Sequence, residues 1–381
     1  MLRMSSSTVD VINDDDDDSK IQKSKIAWRF AQRGQREESP SPPNQKFRVM
    51  FAGSQFQAGL ENTRQLLRER NLQDSIELVH APTDGDVMRL APTVDVALPF
   101  MQRFDAAFLR AATKLVLVQQ YGVGLEGIDI QTATKLGIAV SNVPANGTGN
   151  AQATSEHALL LSMSLLRQTA TELPKRLQNQ ILGGLPAPKT LFRRRVTVVG
   201  YGAVGSVLCT YLTTMGATVT AVRKRPWVHD EASQHPNINR SNHLEDVLPE
   251  TELLILACPV TPDTFHLMNH DRIQLLPEGA YLVNVGRGPL AEYHAVRKAI
   301  ESSHLAGFAS DVGVGHPDKP SEPWDPDDPL TLHPNTIFTP HVGGYSEYSY
   351  GVMADKVLTS IESIMKGRPP PVWCNGPSPS S

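Results

Sequence analysis

The chain of 381 residues holds only three cysteines, Cys209, Cys258 and Cys374, widely spaced and with no CxxC pair. That spacing argues against a disulfide framework and against a structural zinc site. Cys209 and Cys258 fall in apolar helix and strand patterns and read as core thiols, which fits a reducing compartment. No apolar run reaches the roughly 18 residues that a membrane helix needs. The richest, around 158–166, is short and broken by serines. Excess positive charge is also missing: 36 Lys and Arg against 40 Asp and Glu leave a net charge of −4. Nothing in that balance pulls the whole chain toward nucleic acid or an anionic membrane, and no His/Cys cluster asks for a metal. With 40% hydrophobic and 20% charged residues, the composition is that of a globular protein long enough for two domains.

The first 46 residues differ from the rest. They carry Asp14–Asp18, then a basic stretch from Lys20 to Arg36, then Ser39-Pro40-Ser41-Pro42-Pro43. Such a segment cannot bury enough apolar surface to fold, and a disordered tail over 1–46 is expected. A secretory signal is excluded by the missing apolar centre. Residues 21–36 are basic like a transit peptide, but the aspartate run breaks the acid-poor rule for such peptides. A cytoplasmic protein is expected, with organelle import as the alternative.

From Phe47 onward short apolar strands alternate with helical segments, which implies parallel sheets covered by helices. The first series places strands at 47–53, 76–82, 94–99, 115–120 and 138–143, with helices near 60–70 and 104–114. A long helix is expected over 151–173, ended or kinked by Pro174. A second series follows, with strands at 196–199, 217–222, 253–258, 280–285, 305–310 and 336–339. A closing helix over 348–365 stops at Lys366-Gly367 and the prolines 369–371. The last ten residues, 372–381, are expected to be loose, and no appended regulatory domain is expected.

The most informative stretch is in the second series. Gly200, Gly202 and Gly205 form G-x-G-x-x-G between a β-branched strand and a helix that starts at Ala203 and Val204. The first glycine permits a tight turn, the second lets a pyrophosphate approach the backbone, and the third lets helix and strand pack closely. The helix N-terminus then faces the phosphates. The acid that binds the adenosine ribose normally follows about 20 residues on. It is absent. Arg223, Lys224 and Arg225 stand there instead, and an arginine suits a 2′-phosphate.

Ligands in such sheets bind beyond the carboxyl ends of strands. Polar residues there include Gly122-Val123-Gly124, Arg287, Asp311 and His341. Arg287, between Gly286 and Gly288, can grip a carboxylate through two parallel hydrogen bonds. His341, in Thr-Pro-His-Val-Gly-Gly, can pass a proton near neutral pH. A carboxylate beside it would orient it and favour its charged form. The loop between them offers Asp318, Glu322 and Asp325, together with His316, and the spacing alone does not choose among the acids.

These motifs in this order resemble the D-isomer-specific 2-hydroxyacid dehydrogenases over about residues 47–368. The nearest members are those like phosphoglycerate dehydrogenase and hydroxypyruvate or glyoxylate reductase. The resemblance implies two doubly wound parallel-sheet α/β domains. A flavodoxin-like substrate domain, residues 47–150 and 346–371, is split around a Rossmann NAD(P)-binding domain, residues 151–345. It implies that Arg287 binds the substrate carboxylate and polarises its keto oxygen, that His341 is the proton donor, and that a glutamate in a Glu-Pro pair assists it. Glu322-Pro323 is the match if 315–320 is an insertion; an ungapped alignment puts His316 there. Asp311 would hold the nicotinamide carboxamide, and Val285 and Gly286 would line that end. Val123 and Gly124 would offer backbone N–H groups to the substrate carboxylate. The family's usual pattern has an aspartate where this chain has Arg223, a departure toward NADP(H), with NAD(H) as the alternative. The implied function is NADPH-dependent reduction of a small 2-keto acid, of the glyoxylate or hydroxypyruvate type, to the D-2-hydroxy acid by a homodimer that engages neither nucleic acid nor membrane. The alternatives are a non-catalytic dinucleotide-sensing protein like some corepressors, and an NAD-dependent 3-phosphoglycerate-type dehydrogenase.

Overall fold

The computed structural model describes residues 46–54, 56–169, 172–180, 187–227, 236–313 and 327–376. The chain divides into two compact units. One runs to Pro144 and resumes at Tyr350; the other is Ala145–Ser349. The expected tail over 1–46, apart from Lys46, and the residues His316, Asp318, Glu322 and Asp325 lie outside the described residues.

The first unit holds β1 (Phe47–Ala52), α1 (Gln57–Glu69), β2 (Ile76–Ala81), α2 (Asp84–Leu90), β3 (Val96–Leu98), α3 (Ala106–Ala111), β4 (Leu117–Gln119), α4 (Ile130–Lys135) and β5 (Ala139–Ser141). Its sheet is parallel throughout, in the order β2-β1-β3-β4-β5. That order turns back beside β1, which creates a switch point between β1 and β3. Successive residues of β1 feed opposite cores: Val49 and Phe51 join one apolar cluster, Met50 and Ala52 the other. A parallel sheet must be covered on both faces, and this alternation does so. The helices start where short polar side chains satisfy their first free N–H groups. Thr83, Asp105 and Asp129 accept from the amides of Asp86, Phe108 and Thr132.

The second unit opens on α5 (Asn150–Arg167) and α6 (Glu172–Gln178) and continues with β6 (Arg195–Val199), α7 (Ala203–Thr214), β7 (Thr218–Val222) and β8 (Ile238–Ser241). β9 (Leu253–Leu256), α8 (His270–Leu275), β10 (Ala280–Asn284), α9 (Tyr293–Glu301), β11 (Leu305–Ser310) and β12 (Thr336–Phe338) complete it. The order β12-β11-β10-β9-β6-β7-β8 is parallel throughout. Its switch point falls between β6 and β9, the Rossmann arrangement. Leu253 and Ile255 enter one core and Leu254 and Leu256 the other. The chain returns to the first unit through α10 (Glu347–Met365), whose Met353, Val357, Leu358 and Ile361 join the core of β1 and β3.

Three expectations need correction. The single helix over 151–173 is two: α5 ends at Arg167, where Gln168 turns left-handed (φ 54°), and Pro174 falls in the first turn of α6, where its missing N–H costs nothing. β8 was not expected; it is an edge strand, so it needs no continuous apolar run, and only its Ile238 is buried. Residues 373–375, expected to be loose, are tied to β5. The Cys374 amide donates to the Val140 carbonyl, and the Asn375 side chain bonds the Val140 amide and the Ile138 carbonyl.

Candidate functional site

The carboxyl edge of the second sheet carries the expected groups in spatial order. Reading from one side, His341 follows β12, Asp311 follows β11, Arg287 follows β10, Gly200 follows β6 and Arg223 follows β7. Five strand steps separate β12 from β7, about 24 Å at the usual spacing.

The glycine loop sits at the switch point. Gly200 has φ 102°, and an added Cβ would meet the Ala257 carbonyl oxygen at 2.8 Å. Its amide donates to the Val222 carbonyl, so the turn is fastened to the end of β7. A Cβ on Gly205 would drive into the Gly200 carbonyl, whereas one on Gly202 would meet open space. The loop is thus tight where strand and helix meet and open where a ligand backbone would approach. Gly202 begins α7 with no side-chain cap, so the first amides of Ala203 and Val204 keep the polarity that suits a pyrophosphate. These residues fit a bound dinucleotide.

At the far end, Arg223 is buried (9% exposed). Its guanidinium lies 3.9 Å from the Trp227 ring centre, and its Nε and a terminal nitrogen donate to the Arg225 and Pro226 carbonyls. Stacking and forked donation suit arginine's planar head. Lys224 is a surface side chain paired with Asp263 at 2.6 Å, and Arg225 is exposed.

At the other end, the turn after β10 is shaped by buried Asn284. Its amide nitrogen donates to the Arg287 carbonyl (2.8 Å), and its oxygen accepts the Gly286 amide (3.1 Å). Val285 and Gly286 are buried beneath it, and Gly286 crosses close over the Cys258 carbonyl. Arg287 is half-buried, in extended backbone, with one terminal nitrogen on the Gly286 carbonyl.

Asp311, 3% exposed, holds the loop after β12. Its Oδ1 accepts from the Thr339 hydroxyl (2.7 Å) and the Val342 amide (2.9 Å), and its Oδ2 accepts from the Gly343 amide (2.7 Å). A Cβ on Gly343 would stand 2.8 Å from that carboxylate, so glycine is what allows the approach. Burial pushes the Asp311 carboxyl up, but the bonds from His157, Thr339, Gly343 and Val342 outweigh it and hold it below the usual carboxylate range. His341, between the anchored residues, takes the left-handed conformation (φ 55°). Histidine, with asparagine and aspartate, is among the residues that tolerate it best.

In the first unit, Gly122-Val123-Gly124 follows β4. The three carbonyls accept from the Val143 amide, Asn142 Nδ2 and Gln120 Nε2. Because a trans peptide points its N–H opposite its C=O, the amides of Val123 and Gly124 face away from those anchors.

Three supporting residues were not singled out from sequence. Asn284 and Thr339 lay inside motifs read for their neighbours. His157, on α5 directly after Thr154, Ser155 and Glu156, stands in no motif that marks it. Cys209 and Cys258 are buried, with thiols pushed up by burial to about 12 and about 11. Among the described residues, no group of three or more His, Cys, Asp or Glu could hold a metal ion, and no helix is long and apolar enough to cross a membrane.

Residues 159–343 match the NAD binding domain of the D-isomer specific 2-hydroxyacid dehydrogenases. The chain belongs to this family. With it the chain joins the NAD(P)-dependent oxidoreductases that act on 2-hydroxy acids. It is 30% identical over 283 residues to a D-3-phosphoglycerate dehydrogenase of Bacillus subtilis, an alignment that takes in 71% of this chain and 51% of that one. It thus spans about half the length of that relative. It is 26% identical over 326 residues to a glyoxylate reductase of Thermococcus onnurineus, covering 83% of this chain and 93% of the relative. The fold is shared with D-2-hydroxyisocaproate dehydrogenase, with a TM-score of 0.71 and 23% identity over 87% of this chain and all of that one. A glyoxylate reductase of Paecilomyes thermophila gives 0.70 and 17% over 86% and 98%.

Proposed function

We propose that the protein reduces a small 2-keto acid, of the glyoxylate or hydroxypyruvate type, to the D-2-hydroxy acid with NADPH. The observation that carries this is the placement of Arg287 and His341 at the ends of β10 and β12, two strands apart on the sheet that bears the glycine loop. When bound, reduced nicotinamide supplies a hydride to the carbonyl carbon. Arg287 binds the substrate carboxylate and places a permanent cation where negative charge grows on the carbonyl oxygen, and His341 gives that oxygen its proton. The amides of Val123 and Gly124 take the substrate carboxylate, Glu322 assists His341, and Asp311, Val285 and Gly286 serve the nicotinamide end. The named glyoxylate reductase relatives support the substrate class. The test is chiral separation of the product formed from hydroxypyruvate and NADPH. The D-hydroxy acid is expected, and the L acid or no product contradicts the proposal.

NADP(H) is proposed over NAD(H) because the residue that directly follows β7 in the chain is Arg223 and not an acid. Its guanidinium stacks on the Trp227 ring and donates to the Arg225 and Pro226 carbonyls, which set its direction. Arg223→Asp is expected to weaken NADPH relative to NADH by about 10-fold or more, as loss of one charge-assisted bond of about 1.5–3 kcal/mol would. Fluorescence titration with each reduced cofactor checks it; an unchanged ratio means Arg223 does not read the 2′-phosphate.

A homodimer is also proposed. The second unit leaves Leu177 on α6 and Phe192 exposed at 83% and 62%, together with Leu160 and Met163 on α5, and apolar side chains so placed suit a subunit contact. Sedimentation at micromolar protein should give about twice the chain mass of 41.7 kDa, and a monomer would contradict it. The free cysteines fit a cytoplasmic setting.

A further inference from the structure

We infer that His157 is a positioning residue for His341, acting through Thr339 and Asp311 to hold the proton-donor loop in place. The inference rests on the proposed role of His341. His157 Nε2 lies 2.8 Å from the Thr339 hydroxyl and 3.3 Å from Asp311 Oδ1. The Thr339 hydroxyl has one proton, and it goes to Asp311 Oδ1. The Thr339 oxygen can therefore only accept from His157, which fixes the tautomer: Nε2 carries the proton. A directed chain results, from imidazole to hydroxyl to carboxylate. The same carboxylate takes the amides of Val342 and Gly343. Thr339 is thereby anchored before His341, and Val342 and Gly343 after it. The histidine between them is left in a conformation that most residues adopt at a cost.

The helix behind this chain gives it reach. Asn150, Thr154 and His157 follow one another at i, i+4 and i+7, one face of α5. The first two crowd Gly344, where an added Cβ would strike the Asn150 amide nitrogen and come within 3.5 Å of the Thr154 hydroxyl. The neighbouring face packs on α7, and the Ser155 hydroxyl reaches the Val204 carbonyl at 3.0 Å, next to the glycine loop. One rigid helix thus braces the loop that takes the cofactor and the loop that delivers the proton. A side chain half-way along it sets the second loop without touching substrate.

The test uses His157→Leu, His157→Gln and the unmodified protein. Gln can place an N–H close to the position of Nε2; Leu cannot. In His157→Leu, turnover is expected to fall about 10- to 100-fold, the scale of an ångström-level misplacement of a reacting group. NADPH affinity by fluorescence should stay within about twofold, since the glycine loop is untouched. Amide hydrogen exchange in the free protein should speed up over 339–344 and not elsewhere. His157→Gln should recover most of both. Turnover within about twofold of the unmodified protein, unchanged exchange at 339–344, or a Gln variant as defective as Leu would each overturn the inference. Should His341→Asn turn over normally, the proton-donor role has failed, and the exchange measurement alone still decides whether His157 braces the loop.

Discussion

His341→Asn is expected to cut turnover by at least about 100-fold, the contribution of one positioned acid-base group, while NADPH affinity changes little. Asparagine is the informative replacement. It tolerates the left-handed backbone that His341 occupies (φ 55°), and its short amide cannot release a proton. The anchors on both sides, Thr339 to Asp311 and Gly343 to Asp311, do not involve the His341 side chain. The loop should therefore survive, and a loss of turnover can be assigned to the missing proton. Single-turnover kinetics with NADPH and hydroxypyruvate would measure it. A variant that keeps more than about a tenth of the rate would place the proton donor elsewhere.

The second large effect is at Arg287. Arg287→Gln is expected to lower turnover about 100- to 1000-fold, the usual cost of removing one donor to a developing oxyanion. It should also raise the keto-acid KM, because the proposed role includes the substrate carboxylate. Lysine should rescue little, since an ammonium cannot reproduce the planar fork. The turn itself should persist, because Asn284 holds it through the backbone of Gly286 and Arg287. Steady-state kinetics for the Gln and Lys variants separate the two effects. A raised KM with unchanged kcat would mean that Arg287 only binds substrate and does not stabilise the transition state.

The parts of the site that were legible in the sequence are contiguous ones. Gly200–Gly205 is a six-residue pattern between a strand and a helix, so local geometry alone forces its shape. Arg287 and His341 could be read because glycines flank them at strand ends. The parts that were not legible depend on distant partners. His157 and Thr339 are 182 residues apart in sequence and 2.8 Å apart in space, a pairing that only the folded second unit creates. Arg223 is legible as the residue in the acid's place, but its burial is not, because that depends on Trp227, four residues on, stacking against it. Strand positions were read well where burial on both faces demands apolar runs, as in β9 and β10. The reading failed at β8, where an edge position relaxes that demand, and at the end of α5, where no proline or glycine marks the stop.

The most direct test of the proposed chemistry follows absorbance at the reduced-nicotinamide band after hydroxypyruvate or glyoxylate is added to the unmodified protein with NADPH, and separately with NADH. Loss of absorbance that depends on the keto acid and is faster with NADPH is the expected result. No loss with either cofactor across a panel of small 2-keto acids would contradict the account.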